Sequence, residues 1–462
     1  MFGKVLIANR GEIACRVART CRRLGVRSVA VYSDADAGAP HVELADEALR
    51  IGPAPVQQSY LDVDALVAAV RSSGADAVHP GYGLLSESAR FARAVRAAPA
   101  VFIGPSPETL EQLGDKIAAR ALAREAGAEP PPGSEAACDP LDEARLLAEA
   151  QRIGFPVIVK AAAGGGGIGM AVVRDPSALL GAVKTCADRA RQAFADDRIY
   201  LERYLARPRH IEVQVAVDGS GMAVALGERE CSVQRRHQKV IEETPSPAAF
   251  LRGAEGEARR DALLRRALDV VRRARYAGLG TVEFVADQAG NSYFLEVNAR
   301  LQVEHPITEL VTGLDLVELQ LEIAAGNALP EHALRASRRG HAIEARLYAE
   351  DPARGFLPQP GHIVRLAFPQ GMPGIRVDAG VRQGLDVTPF YDPLLAKIIA
   401  HGANRDEAIA RLDAALAATE LELRGPKGPR ATNRELLRRV LANPEFRAGD
   451  YDTHLIERLG PA

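Results

Sequence analysis

Lysine is scarce in this 462-residue chain. Arginine carries most of the positive charge, and the only lysines are Lys4, Lys116, Lys160, Lys184, Lys239, Lys397 and Lys427. A lysine kept inside a dense polar motif therefore draws attention. Cysteine is also sparse: Cys15, Cys21, Cys138, Cys186 and Cys231 are odd in number and form no C-x-x-C pair. That excludes a disulfide framework and a zinc-binding pattern, and it reads as a reduced, cytoplasmic chain. No apolar run approaches the roughly 18 residues of a membrane span, and the N-terminal MFGKVLIANRGE is a short strand, too brief for a signal segment. Net charge is nearly absent, −2 from 58 basic and 60 acidic residues, which leaves neither a nucleic-acid footprint nor a polybasic membrane arm. What remains is a globular composition, 47% hydrophobic, with length for about two to four domains.

From residue 4 to about 113, short apolar runs (VLIA, SVAVY, DAVH, AVFIG) alternate with helical patterns at Ile13 to Leu24, Val63 to Ser72 and Ser86 to Ala97. This predicts βαβ units on a parallel sheet. The first strand runs into ANRGEIA, which lacks the three glycines that let a backbone approach a pyrophosphate, so a nicotinamide or flavin dinucleotide is not expected. HPGYGLLSES follows a strand ending at His79, with Gly81 and Gly83 flanking Tyr82; it reads as a ligand-facing loop or as a plain Pro-Gly turn. The segment EPPPGS from Glu129 marks a boundary or hinge. Beyond it, FPVIVKAAAGGGGIGMAVV gives two β-rich runs joined by Gly164 to Gly167, with no helix pattern and no Lys-Ser or Lys-Thr pair. That is a strand-loop-strand, either a phosphate cover with Lys160 on its first strand or a flexible connection.

RHIEVQVAVDGSGMAVAL predicts two strands around Asp218-Gly219-Ser220-Gly221. In the cluster after it, Arg235, His237 and Lys239 share a face if the strand is regular, with Gln234 pointing the other way unless the strand is bulged or finished. Such a face suits a polyanion or bicarbonate, or else guards a solvated edge. A second dense polar stretch is LEVNARLQVEHPITE, Leu295 to Glu309. With TVEFV before it and Asp287 to Ser292 between, it predicts a hairpin that sets Glu283 opposite Glu296, with Glu296 and Asn298 on one face. Opposed carboxylates repel, so either a magnesium ion sits between them or both reach solvent. A helix from about Leu314 to Ala325 leads to a third, β-rich unit containing Arg346, and helical patterns at Arg405 to Ala418 and Thr432 to Leu441 close the chain.

In order and spacing, KVLIANRGEIACR, HPGYGLLSE, KAAAGGGGIGM, ERYLARPRHIEVQV, RECSVQRRHQKVIEE, LEVNARLQVEHPITE, GHAIEARLYAEDP and YDPLLAKIIAHG resemble the biotin carboxylase component of biotin-dependent acyl-CoA carboxylases, over nearly the whole chain. The resemblance implies an α/β and α+β multidomain fold: a doubly wound domain at 1–114, an ATP-grasp domain at 115–330 with a glycine-rich lid at about 131–204, and a β-rich domain at 331–450. It implies an ATP site at Lys116, Lys160, Gly165, Gly166, Gly167, Glu202, Leu205, His210, Gln234 and His237, and magnesium or manganese at Glu283, Glu296 and Asn298. Bicarbonate falls to Lys239, Arg300, Gln302, Val303 and Glu304, and biotin to Tyr82, Gly83 and Arg346. The implied catalytic group is Glu304 as base with Arg300, Lys239 on the phosphoryl group, and Arg346 on the biotin oxygen.

Two departures stand out. The lid has Ile168 and Ala171 where the family usually has basic residues, and Leu423 to Thr432 is longer and richer in proline and glycine than usual. The lid change admits a weakened structural or regulatory homologue, or another ATP-grasp ligase, as alternatives. The implied partners are a biotin carboxyl carrier protein or domain, a carboxyltransferase subunit and a second copy in a homodimer.

The carrier is expected to be a separate protein. None of Met1, Met170, Met222 and Met372 adjoins a lysine, whereas the family's carriers bear biotin on the lysine of an Ala-Met-Lys-Met type motif, and the chain ends at Ala462 soon after the third unit. Mass spectrometry of protein made in a host with biotin ligase should find every lysine unmodified; a biotin adduct on any of them would sink this expectation.

Overall fold

The computed structural model describes residues 1–162, 169–236, 238–369 and 371–460. Five strands form the N-terminal parallel sheet: β1 (Lys4–Ile7), β2 (Arg27–Ser33), β3 (Glu47–Gly52), β4 (Ala77–His79) and β5 (Val101–Phe102). Their order is β3-β2-β1-β4-β5. The apolar runs and helical patterns fall as expected, with helices at Gly11–Arg23, Val63–Ser73 and Ala89–Ala97. Strand β3 was not anticipated. It is an edge strand whose residues alternate between partly covered and exposed positions before Ile51, so EALRIG carries little apolar signal. The order reverses between β1 and β4, where an open α/β sheet leaves its ligand crevice. There Asn9 Nδ2 donates to Pro80 O at 2.7 Å and Tyr82 O at 2.8 Å, anchoring the Tyr82 loop to the end of β1. Gly81 has φ of +63°, and a Cβ on it would lie 2.8 Å from Asn9 Nδ2, so the close approach requires glycine.

β6 (Val157–Ala161), β7 (Met170–Val173) and β8 (Ile199–Arg203) pair antiparallel in the order β7-β6-β8. With helices Glu143–Ile153 and Leu179–Phe194 they bury an apolar core of their own, including Leu146, Val157, Val159, Val173 and Val183. The strand-loop-strand reading holds for β6 and β7. Gly165, Gly166, Gly167 and Ile168 lie outside the described residues. Ala171 pairs with Val159 and packs against this small core.

The chain then builds one long antiparallel sheet from β9 (Arg209–Val217), β10 (Ala223–Arg235), β11 (Gln238–Thr244), β12 (Gly278–Ala286), β13 (Ser292–Asn298) and β14 (His341–Tyr348). Its order is β13-β12-β9-β10-β11-β14, continued by strands Leu394–Gly402 and Ile375–Ala379. The β-rich third unit is therefore continuous with the central sheet through the β11–β14 pairing. The divergent segment Leu423 to Thr432 forms a hairpin: Arg424 pairs with Pro429, Gly425 with Gly428, and Arg430 N donates to Leu423 O at 2.8 Å.

The hairpin β12–β13 carries the start of the polar stretch Leu295 to Glu309 and is pinned from both ends. Asp287 Oδ1 accepts from Ala289 N at 3.0 Å and Asn291 N at 2.9 Å, an Asx turn completed by Gly290 at φ of +85°. Behind it, Phe284 and Phe294 are fully buried and meet edge to face, ring centroids 6.4 Å apart, in a core shared with the N-terminal sheet. Phe284→Ala should therefore destabilise the protein by about 3–5 kcal/mol. Urea unfolding checks this; a loss below about 1 kcal/mol would mean that the hairpin does not depend on this core.

Candidate active site

Glu283 stands opposite Glu296, as the turn position predicts. Immediately beyond, the register shifts so that Phe284 faces Phe294, which leaves Leu295 as an extra residue. This bulge turns Leu295 and Glu296 toward one cavity of about 780 Å³, a volume suited to a nucleotide-sized ligand.

The cavity brings together residues from all parts of the chain: Tyr82, Gly83, Lys116, Lys160, Glu202, Leu205, His210, Gln234, Lys239, Glu283, Glu296, Asn298, Arg300, Gln302, Val303 and Arg346 line it. His237 lies outside the described residues. Glu304 is fully buried just behind the wall, at the start of helix His305–Thr312. Of the readings left open for this cluster, the finished strand holds: β10 ends at Arg235 and β11 runs back antiparallel to it from Gln238. Gln234 then pairs with Lys239 across the turn, so these two share the cavity while Arg235 contacts Glu350 and lies over the Phe356 ring.

The electrostatic centre is Lys239. Its Nζ lies 2.5 Å from Glu212 Oε2, 2.7 Å from Glu283 Oε1 and 2.8 Å from Glu304 Oε1. Burial disfavours the ammonium, but the three carboxylates overcome it and raise its pKa well above the ordinary value. Burial likewise pushes Glu304 up, yet Lys239, Arg346 and Arg229 together hold it well below the usual carboxylate range. Glu304 is thus held as an anion whose basicity these cations restrain. Arg346 Nη2 sits 3.0 Å from Glu304 Oε2 and 2.6 Å from Glu242 Oε1. His210 Nε2 is 2.9 Å from Glu283 Oε2, and its Nδ1 is 2.7 Å from Gln234 Nε2. Lys160 and Arg120 both grip Glu202.

Sequence reasoning missed several members. Glu212, fully buried, joins Lys239 to Arg229 at 2.5 Å, and the alternation of His210, Glu212 and Gln214 on β9 was the signal available for it. Glu12 receives the Tyr82 hydroxyl and lies 3.1 Å from Lys397 Nζ, which also donates to Val303 O at 2.7 Å. Lys397 is fully buried, so it fixes the backbone at Val303 from behind the cavity wall.

Comparison with known proteins adds the following. The family described as "Biotin carboxylase, N-terminal domain" matches residues 1–110, "Carbamoyl-phosphate synthase L chain, ATP binding domain" matches 115–332, and "Biotin carboxylase C-terminal domain" matches 344–458. Biotin carboxylase of Halalkalibacterium halodurans is 50% identical over 456 residues, covering 99% of this chain and 97% of that protein. The mitochondrial propionyl-CoA carboxylase alpha chain of Sus scrofa is 44% identical over 461 residues; this chain spans 61% of its length. Among solved structures, the biotin carboxylase domain dimer of Hydrogenobacter thermophilus 2-oxoglutarate carboxylase, in complex with MgADP, ADP and bicarbonate, matches with a TM-score of 0.93 at 40% identity, covering 99% of this chain and 98% of that one.

Whether the hairpin suits a metal depends on its donors. Glu283 and Glu296 give carboxylate oxygens and Asn298 an amide oxygen on one cavity wall, a hard oxygen set that fits magnesium or manganese. The opposed carboxylates do not by themselves demand the ion. Lys239 stands against Glu283, and Lys116 Nζ is 3.2 Å from Glu296 Oε2, while Arg300 Nη2 donates to Asn298 Oδ1 at 2.9 Å. Charge compensation is thus already built in, and a metal would share these oxygens with protein cations. Glu283→Gln and Glu296→Gln should each weaken Mn²⁺ binding in the presence of ADP by about tenfold or more, read by electron paramagnetic resonance titration. Wild-type affinity in both variants would remove the hairpin from the metal site.

Proposed function

The chain belongs to the biotin carboxylase family, and from that premise we propose that it carboxylates biotin on a carrier protein, using ATP and bicarbonate, as the first half-reaction of an acyl-CoA carboxylase. The supporting observation is the convergence of Lys239, an ionised Glu304 and Arg346 at a cavity that Lys116, Lys160 and His210 also line.

The chemistry follows from these charges. Bicarbonate is a weak nucleophile until it loses its proton, and Glu304 is the base within reach of its site. Lys239 restrains that basicity while it is bound to Glu304. As the ATP phosphates draw Lys239 toward them, one charge depressing Glu304 is withdrawn and its affinity for the proton rises. The deprotonated bicarbonate oxygen forms a bond to the γ-phosphorus as the bond to the ADP oxygen breaks, giving carboxyphosphate and ADP. Lys116, Lys160 and Lys239 hold the negative charge on the phosphates in place. Magnesium or manganese at Glu283, Glu296 and Asn298 supplies further charge neutralisation on the phosphate oxygens. Carboxyphosphate breaks down to CO₂ and phosphate, the phosphate takes the ureido N1 proton of biotin, and N1 attacks CO₂. Arg346 holds the ureido oxygen as it gains negative charge.

Two further features of the site bear on this reading. Tyr82 and Gly83 border the end of the cavity that we assign to biotin, and Asn9 holds their loop. Ala171 leaves the lid without one positive charge that the family usually has there, so the phosphates depend more on the cavity lysines. A carrier protein, a carboxyltransferase and a second copy of the chain are the proposed partners, in the cytoplasm. The similarity to propionyl-CoA carboxylase alpha chains leaves the final acyl-CoA acceptor open to assay.

ADP release that depends on bicarbonate and is accelerated by biotin, with a biotinylated carrier a better substrate than free biotin, tests the function; ADP release indifferent to biotin would refute it. In the same assay Arg346→Met should lower biotin carboxylation about a hundredfold while bicarbonate-dependent ATP cleavage without biotin falls far less. Equal loss of both in a folded variant would remove Arg346 from the biotin step.

A further inference from the structure

Behind Arg346 the sheet holds an arrangement that the proposed chemistry leaves unused. Glu242 on β11 and Glu344 on β14 are direct cross-strand partners, both fully buried. Side chains so placed have Cβ atoms only about 5 Å apart. Neither oxygen of Glu344 has a hydrogen-bond partner among the described residues. Glu242 touches Arg346 Nη2 at 2.6 Å as an ion contact without hydrogen-bond alignment. The groups facing the pair are Arg346 on β14 itself, Lys239 on β11, Cys231 on β10, Lys397 on the next strand and Glu304 at the helix start. The cations among them are already engaged: Lys239 with three carboxylates, Lys397 with Glu12 and Val303 O, and Arg346 with Glu304 as well as Glu242. Two ionised carboxylates facing each other here would lack a full set of counter-charges, and a buried charge in that position takes up a proton instead.

We propose that Glu344 is a positioning residue for Arg346, sharing one proton with Glu242 so that the guanidinium meets the biotin oxygen with one anion fewer at its back. The inference rests on the reading of Arg346 given above. Burial, with repulsion from Glu304, pushes Glu242 up to about 7 against the pull of Arg346, and burial with repulsion from Glu242 raises Glu344 well above the ordinary carboxylate value against the pull of Lys397. The sign follows: at low pH the pair holds its proton and Arg346 is available to the cavity. As pH rises through the pair's titration, a second negative charge appears behind Arg346. That charge draws the guanidinium back and opposes the negative charge growing on the ureido oxygen.

The test compares Glu344→Gln, which is neutral at every pH, with the wild type. The ratio of kcat/KM for biotin, variant over wild type, should climb by about tenfold per pH unit above the titration, the limit for loss of one proton. The infrared spectrum of the wild type should carry a protonated-carboxyl C=O band at neutral pH that E344Q lacks. If E344Q does not fold, Glu344→Asp keeps a carboxyl and should retain the wild-type pH profile with that band displaced. A flat ratio with unchanged spectra would overturn the shared proton, as would an undisplaced band in E344D. Bicarbonate-dependent ATP cleavage measured without biotin separates the two layers: a rise of the same size there would overturn the reading of Arg346 instead.

Discussion

A single buried ammonium holds the site together. Lys239 lies within 2.8 Å of Glu212, Glu283 and Glu304, which arrive on β9, on β12 and at the head of a helix. Each of these acids has a second cation or donor, such as Arg229 for Glu212, His210 for Glu283 and Arg346 for Glu304. The result is a continuous alternation of charge through the central sheet. In such a network the removal of one partner strands the rest: an uncompensated buried charge costs about 3–5 kcal/mol. The same dependence makes the network responsive, because a group that draws Lys239 away changes the proton affinity of its partners at once.

The fold supplies the rigidity that this requires. The long sheet carries Lys239, His210, Glu283 and Arg346 on neighbouring strands, so their spacing is set by the ladder. The N-terminal sheet brings the Tyr82 loop to the same cavity, sharing an apolar core with the hairpin through Phe284 and Phe294. The three-stranded unit of β6, β7 and β8 has a separate core, and it presents Lys160 and Glu202 to the cavity. Such a division suits a cover that closes on a nucleotide without disturbing the catalytic strands.

Much of this was legible from the chain. The parallel pairing of the N-terminal strands, the hairpin and the facing of Glu283 and Glu296 followed from apolar alternation and turn chemistry, both of which are local. Strand β3 escaped because an exposed edge has little apolar pattern to show. The strand end after Arg235 stayed one alternative among others because QRRHQK contains no glycine, asparagine or aspartate to mark a turn; Arg236 takes the left-handed conformation itself, at φ of +46°. Glu12, Glu242, Glu344 and Lys397 were illegible for another reason. Their roles exist only in cross-strand and cross-unit pairs, and a glutamate in a strand pattern reads as a solvated face until its neighbours are known.

The charge pattern also bears on how substrate enters. On the proposed reading Glu296 faces Lys116 and Glu283 faces Lys239 before anything binds, so the empty cavity is already compensated. A triphosphate arriving alone would recruit these lysines and leave the two glutamates opposed at close range with less positive charge between them. A divalent cation arriving alone would instead sit beside two ammonium groups held by the same carboxylates. Neither event is favourable by itself, whereas together the lysines turn to phosphate oxygens and the carboxylates to the cation, and every charge keeps a partner. The coupling between nucleotide and metal then belongs to the side chains: it is a free energy shared through Glu283 and Glu296, and linkage requires it to act equally in both directions.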